Sequence, residues 1–176
     1  GVICAISFTP CGIAWCTKGE IVDEEVIVSS YGEIAKTCFE DIPQHFAHAK
    51  VDAFAVMPNH LHGIIVLLNT TEVVAQHAAQ LRKGVSFKPD PGSLSSVVRS
   101  FKSASTKRIN ELRATPGSVF WQRNYYEHVI RNDRDLDRIR EYIITNPLKW
   151  ALDRENPQRT GSSPQEDALF CLDRAQ

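Results

Sequence analysis

Two apolar segments joined by a turn signal constrain this chain more than any other feature. Val51–Val56 alternates along its length, Met57-Pro58-Asn59 interrupts it, and His60–Leu68 reads His-Leu-His-Gly-Ile-Ile-Val-Leu-Leu. Short apolar runs bounded by Pro and Asn are strands, and two of them separated by one turn form a hairpin. The rest of the chain has to complete a sheet around it.

The flanking segments supply the pieces. Val2–Phe8 is apolar and partly β-branched, as a buried strand is. Cys11–Gly19 reads as a loop and Glu25–Ser29 as a short strand. From Ser30 to about His48, Ile34, Cys38, Ile42 and Phe46 recur every fourth residue, which is helical, with Pro43 kinking or ending the helix. Residues 69–92 are polar with Gly and Pro, long for a bare loop, and read as a mobile insert. Leu94–Leu112 is a helix with Ser93 as N-cap and Thr115-Pro116-Gly117 beyond its end. Val119–Arg131 looks extended; Phe120 and Trp121 are its expected core residues. Asn132, with Asp135 three residues on, caps a helix Asp133–Thr145 that Asn146-Pro147 stops. The order strand, helix, strand, strand, helix, strand, helix predicts an α+β fold. It is the ferredoxin-like split βαβ with an antiparallel sheet and an extra C-terminal helix. One domain is expected over 1–150, followed by a polar tail over 151–176.

Charge enters where nucleic acid is considered. The net charge of −1 argues against a nucleic-acid binder. It hides an asymmetry: residues 99–149 carry 11 basic and 6 acidic groups, while residues 1–50 carry 3 and 7. Arg99, Lys102, Lys107, Arg108 and Arg113 lie on the helix 94–112, and Phe120, Trp121, Tyr125 and Tyr126 follow. Basic groups beside aromatics suit single-stranded nucleic acid, since phosphates take the charge and bases stack on the rings. A solvated helix face and a ring-filled core are the plainer alternatives. Five cysteines at irregular spacing, Cys4, Cys11, Cys16, Cys38 and Cys171, are no disulfide framework, and reduced cytoplasmic thiols are expected. The opening GVICAISF lacks the basic region of a signal peptide, and no run of 18 apolar residues exists to span a membrane.

Two constellations carry chemistry. His60 and His62, two apart on a strand, project from one face, where two imidazoles can hold one metal ion; Gly63 beside them permits close approach of a backbone or ligand. Two half-exposed surface histidines would look the same. Tyr142 and Asn146, four apart on a helix, share a face. An amide oxygen can be a third ligand for a hard divalent cation, with the phenol beside it. A half-buried Tyr and a helix-terminal Asn are the alternative. His128 is a lesser candidate, Tyr125 and Tyr126 are rival nucleophiles without an amide partner, and His45 with His48 lies at helical spacing on what reads as a solvated face.

These motifs occur together in one family. Val56-Met57-Pro58-Asn59-His60-Leu61-His62-Gly63-Ile64-Ile65 resembles the signature of the insertion-sequence 200-like HUH transposases. Phe120–Arg131 resembles their final sheet strand and Arg140–Trp150 their catalytic helix. The Asn-Pro pair at 146–147 and Arg99-Ser100-Phe101-Lys102 resemble the subgroup of REP-associated tyrosine transposases. Gly1–Trp15 departs from the family pattern, most at Phe8–Gly12, and nothing beyond Trp150 has a counterpart. The resemblance implies a single-stranded DNA endonuclease and strand transferase, with Tyr142 as nucleophile and His60, His62 and Asn146 holding Mg2+ or Mn2+. It implies palindromic hairpin repeats as the DNA and a monomer or homodimer; the basic helix makes Arg99, Lys102, Lys107 and Arg108 the expected DNA-binding residues. A domesticated module that holds hairpins without cutting, and a ferredoxin-like protein with an incidental metal site, are the competing readings.

Overall fold

A computed structural model describes residues 1–11, 21–22, 25–26, 28–68, 92–153, 156 and 159–161. In chain order its elements are β1 (Val2–Phe8), β2 (Ile21–Val22), β3 (Glu25–Val26), α1 (Ser30–Glu40), α2 (Ile42–His45), β4 (Ala49–Val56), β5 (Leu61–Leu67), α3 (Leu94–Leu112), β6 (Tyr126–Ile130), α4 (Asp133–Thr145) and a 3-10 turn (Pro147–Leu152). The main sheet has the order β4-β5-β1-β6, with every pairing antiparallel; β2 and β3 form a separate ribbon. This is the expected α+β, ferredoxin-like arrangement. The atypical first strand takes its full place inside the sheet, pairing Val2–Phe8 with Leu67–Leu61 on one side and Ile3–Ser7 with Ile130–Tyr126 on the other.

The pleat divides the apolar residues between two layers. Cys4, Ile6, Phe8, Leu61 and Ile65 face α1 and α3 and pack on Phe39, Val97, Phe101 and Ile109. Ala5 and Ile64 face the other way, onto Leu136, Ile139 and Ile143 of α4. Helix caps follow the sequence: Ser93 Oγ accepts from Ser96 N–H, and Asn132 Oδ1 accepts from Asp135 N–H at 2.9 Å.

Two boundaries and one contact differ from expectation. The helix predicted over residues 30–48 breaks at Asp41, because Pro43 has no N–H to continue the ladder, and restarts as one turn. Gly63 admits no ligand: a Cβ there would stand 2.6 Å from Phe39 Cζ and 3.0 Å from Phe54 Cβ, so what approaches closely is a core ring. Only Tyr126–Ile130 of the predicted extended segment is strand. Its beginning is held otherwise, by a single bridge between Pro10 and Trp121 and by the Lys102 ammonium, which donates to the carbonyls of Gln122 (2.9 Å) and Asn124 (3.1 Å). Phe120 and Trp121 are buried, as expected, and Trp121 Nε1 donates to the buried Ser105 hydroxyl at 2.9 Å. Residues 69–91 and 12–20, which include most of the predicted insert and loop, lie outside the described residues. Among those described, no helix is long and apolar enough to cross a membrane, and Cys4, Cys11 and Cys38 are free thiols.

Candidate active site

The β4–β5 hairpin places the first two groups. Its turn closes through Met57 N–H donating to the His60 carbonyl at 2.8 Å, which sets His60 immediately before β5. His62 lies opposite Ala55 on one neighbour and Ser7 on the other, with Tyr126 opposite Ser7 one strand further. Two small side chains flank the imidazole, so the sheet leaves room there. The histidine rings meet edge to face, 4.2 Å between centroids, with their Nε2 atoms 3.1 Å apart.

Helix α4 brings the other two. Leu136, Ile139 and Ile143 recur at helical spacing and bury one stripe against the sheet. A fork between Arg140 and Asp52 of β4 fixes the helix: Nε donates to Oδ1 at 2.9 Å and Nη2 to Oδ2 at 2.6 Å. Tyr142 packs at the edge of this stripe, its ring 5.6 Å from that of His62. One turn later the Asn146 amide donates to His62 Nε2 at 2.8 Å and to the Tyr142 hydroxyl at 3.2 Å. His60, His62, Tyr142 and Asn146, 86 positions apart at the extremes of the sequence, therefore converge. A small cavity of about 50 Å³ adjoins them, lined by His62, Tyr142, Ser7, Tyr126 and His128.

The hydrogen bonds fix what the imidazoles present. His60 Nδ1 lies 2.7 Å from Asn59 Oδ1, an acceptor only, so the ring proton sits on Nδ1 and the lone pair on Nε2. His62 Nε2 lies 2.8 Å from the Asn146 amide nitrogen. The two Nε2 atoms stand 3.1 Å apart, within hydrogen-bond distance of each other. Neutral imidazole nitrogens are ligands that a divalent metal can use. Burial enforces that state: desolvation pushes His60 down to about 3, and His62 falls well below its ordinary value through desolvation first and the neighbouring His60 second. Both stay neutral at pH 7.

A fifth group, missed in the sequence, joins them. Past Trp150, where the polar tail was drawn, the 3-10 turn swings the chain back over the histidines. The Trp150 ring lies tilted, 6.0 Å from that of His60, and the Asp153 carboxylate is buried 3.9 Å from His60 Nε2. One ligand atom each from His60, His62 and Asp153 lies within 4.8 Å of the others, and among the described residues no other set of three acidic, His or Cys groups does so. Asp153 had no periodicity to betray it.

The DNA-binding candidates and Tyr125 fall elsewhere, while Tyr126 and His128 line the cavity beside His62. The basic helix α3 covers the sheet face opposite the histidines. Lys102 is engaged with backbone carbonyls and with the rings of Phe8 and Tyr125, each centroid 5.4 Å away. Arg108 lies 3.9 Å from Asp41, while Arg99 and Lys107 are exposed. A groove of about 870 Å³ on this side is lined by Lys102, Lys107, Phe120, Trp121 and Arg123. Tyr125 belongs to that side as well; burial and the Glu127 carboxylate, which accepts from its hydroxyl at 3.2 Å, push it up to about 12, so it is a poor nucleophile.

Comparison with known proteins gives a consistent set of relatives. No family model matches the chain. A Haemophilus influenzae protein of uncharacterised function is 35% identical over 144 residues, covering 79% of this chain and 77% of that one. A second protein of the same organism, assigned provisionally as a REP-associated tyrosine transposase, is 27% identical over 114 residues; the match spans 65% of this chain and 57% of that relative. Among solved structures, a REP-associated tyrosine transposase bound to a REP hairpin superposes with a TM-score of 0.53 at 18% identity, covering 98% of this chain and 82% of that one. That likeness establishes the shared fold.

Proposed function

We propose that the chain is a REP-associated tyrosine transposase that cuts and rejoins single-stranded DNA at hairpin-forming repeats through Tyr142, a reading supported by its similarity to a relative so assigned and by its fold. The observation that carries the reading is the convergence of Tyr142, Asn146, His60 and His62 from two distant segments onto one buried donor set. A core assembled for packing alone has no use for two buried imidazoles beside an amide and a phenol.

The residues divide the work. His60, His62 and the amide oxygen of Asn146 would hold a divalent ion, Mg2+ or Mn2+; mixed nitrogen and oxygen donors favour Mn2+. When bound, that ion supplies charge stabilisation to the phosphate oxygens. Asn59 fixes the His60 tautomer, and Asn146 donates to the phenol oxygen and so sets its direction. Tyr142 attacks the scissile phosphorus: the Tyr142 oxygen–phosphorus bond forms and the bond to the 3′-oxygen breaks. The phenol loses its proton and the departing 3′-oxygen gains one. The 5′-phosphotyrosine keeps the phosphodiester energy, so another 3′-hydroxyl can reverse the step on a second strand, and no high-energy cofactor is required. Arg140 holds the nucleophile's helix to β4. The exposed Arg99 and Lys107 lie across the sheet from this chemistry, where they can take phosphates of the DNA outside the cleaved step.

The test is a denaturing gel of the protein incubated with a single-stranded hairpin oligonucleotide and Mn2+. Cleavage that disappears in Tyr142→Phe supports the proposal. Binding without cleavage under any divalent metal replaces it with a hairpin-holding module.

A further inference from the structure

We propose that Asp153 is a further ligand of the metal ion, supplying the negative charge that His60, His62 and Asn146 lack. This rests on the metal-dependent reading above and extends it to a residue beyond the nucleophile's helix.

Three observations carry it. First, the carboxylate is fully buried on the histidine side of the sheet, 3.9 Å from His60 Nε2 and within 4.8 Å of the His62 ligand atom. Two donors bonded to one ion at about 2.1 Å stand at most about 4.2 Å apart, so shifts of a few tenths of an ångström complete the set. Second, the carboxylate shares this buried place with two imidazoles, and carboxylate oxygen with imidazole nitrogen is a donor set that divalent ions take. Third, the chain is built to bring Asp153 back. Pro147 ends α4 and the 3-10 turn reverses direction. Its carbonyls are then tied by Asp153 N–H and the Asn156 side chain, both donating to Trp150 O (3.1 and 2.9 Å), and by Thr160 N–H donating to Ala151 O (2.9 Å). Asn156 N–H also donates to the Asp153 carbonyl at 3.0 Å. Backbone bonds on both sides of Asp153 hold its side chain over the histidines.

Two imidazoles and an amide are all neutral. Adding one carboxylate brings the donor set to the mixed nitrogen–oxygen, singly anionic character that suits Mn2+. The segment after α4 thereby joins the site in the same chain.

The experiment is Mn2+ titration of the full chain by calorimetry, with free Mn2+ checked by electron paramagnetic resonance. Wild type, Asp153→Asn, Asp153→Glu and His62→Gln are compared, each first shown folded by circular dichroism. Wild type is expected to bind one Mn2+ and His62→Gln to lose it. Asp153→Asn is expected to bind at least tenfold more weakly, with Asp153→Glu, which keeps the charge but moves the oxygen, in between. If Asp153→Asn binds as wild type does while His62→Gln does not, Asp153 is no ligand and the metal reading survives without it. If His62→Gln also binds as wild type does, or wild type binds nothing, the metal site itself fails and this inference with it. Should Asp153→Asn not fold, the Asp153→Glu titration decides: unchanged affinity overturns the assignment.

Discussion

The neutral state of His60 has a measurable consequence for stability. Unfolded, this side chain titrates near 6.5; folded, burial lowers it to about 3. Between those values the unfolded chain binds a proton that the folded chain refuses. The stabilisation is complete above about pH 6.5 and is lost as the pH falls toward 3. One pKa unit corresponds to 1.36 kcal/mol, so about 2 kcal/mol has gone by pH 5. His62 shifts in the same direction and adds to the loss. The assay is urea unfolding with EDTA present, at pH 7 and pH 5, for wild type and His60→Gln. The surface carboxylates are common to both chains and cancel, while His62, which His60 also lowers, is relieved in the variant and changes the loss in the same direction. The loss between pH 7 and pH 5 should therefore be smaller in His60→Gln by at least about 2 kcal/mol. Equal losses in the two proteins would show that His60 takes its proton in the folded state, and the account of its neutral, buried ring would fall.

Two other perturbations separate structure from function. Gly63→Ala drives a Cβ into Phe39 and should cost about 1–3 kcal/mol, seen as a lower thermal midpoint; Phe39→Leu in the same chain should recover part of it. Removing exposed charge at Arg99 or Lys107 should weaken hairpin binding and flatten its dependence on salt by roughly 0.7–0.9 in log–log slope per lost phosphate contact. Lys102→Ala should instead lower the thermal midpoint, because that ammonium holds the Gln122 and Asn124 carbonyls.

Much of this was legible in the sequence because the informative residues are local. Ser93 and Asn132 mark helix starts, and the structure begins α3 and α4 immediately after them. Ile139, Ile143, Tyr142 and Asn146 occupy one helix side by spacing alone, and the hairpin turn presents His60 and His62 together. Where long-range packing decides, the sequence was silent or misleading. Phe120 to Tyr125 have strand composition, yet that segment packs its rings under α3 and is pinned by a lysine rather than by a ladder. The basic count over residues 99–149 says nothing about sides of a sheet, and α3 lies on the far side from the histidines. Asp153 is one acid in a polar stretch, and only the turn after Pro147 reveals where it goes.

The central claim is that Tyr142 becomes covalently joined to DNA. The protein is incubated with a single-stranded hairpin oligonucleotide and Mn2+, digested with trypsin, and the nucleotide-bearing peptide is sequenced by mass spectrometry. The account predicts a 5′-phosphate ester on Tyr142 within the peptide that follows Arg140, absent in Tyr142→Phe. Modification of Tyr126 or another residue instead, or cleaved DNA with no linked peptide, would contradict it.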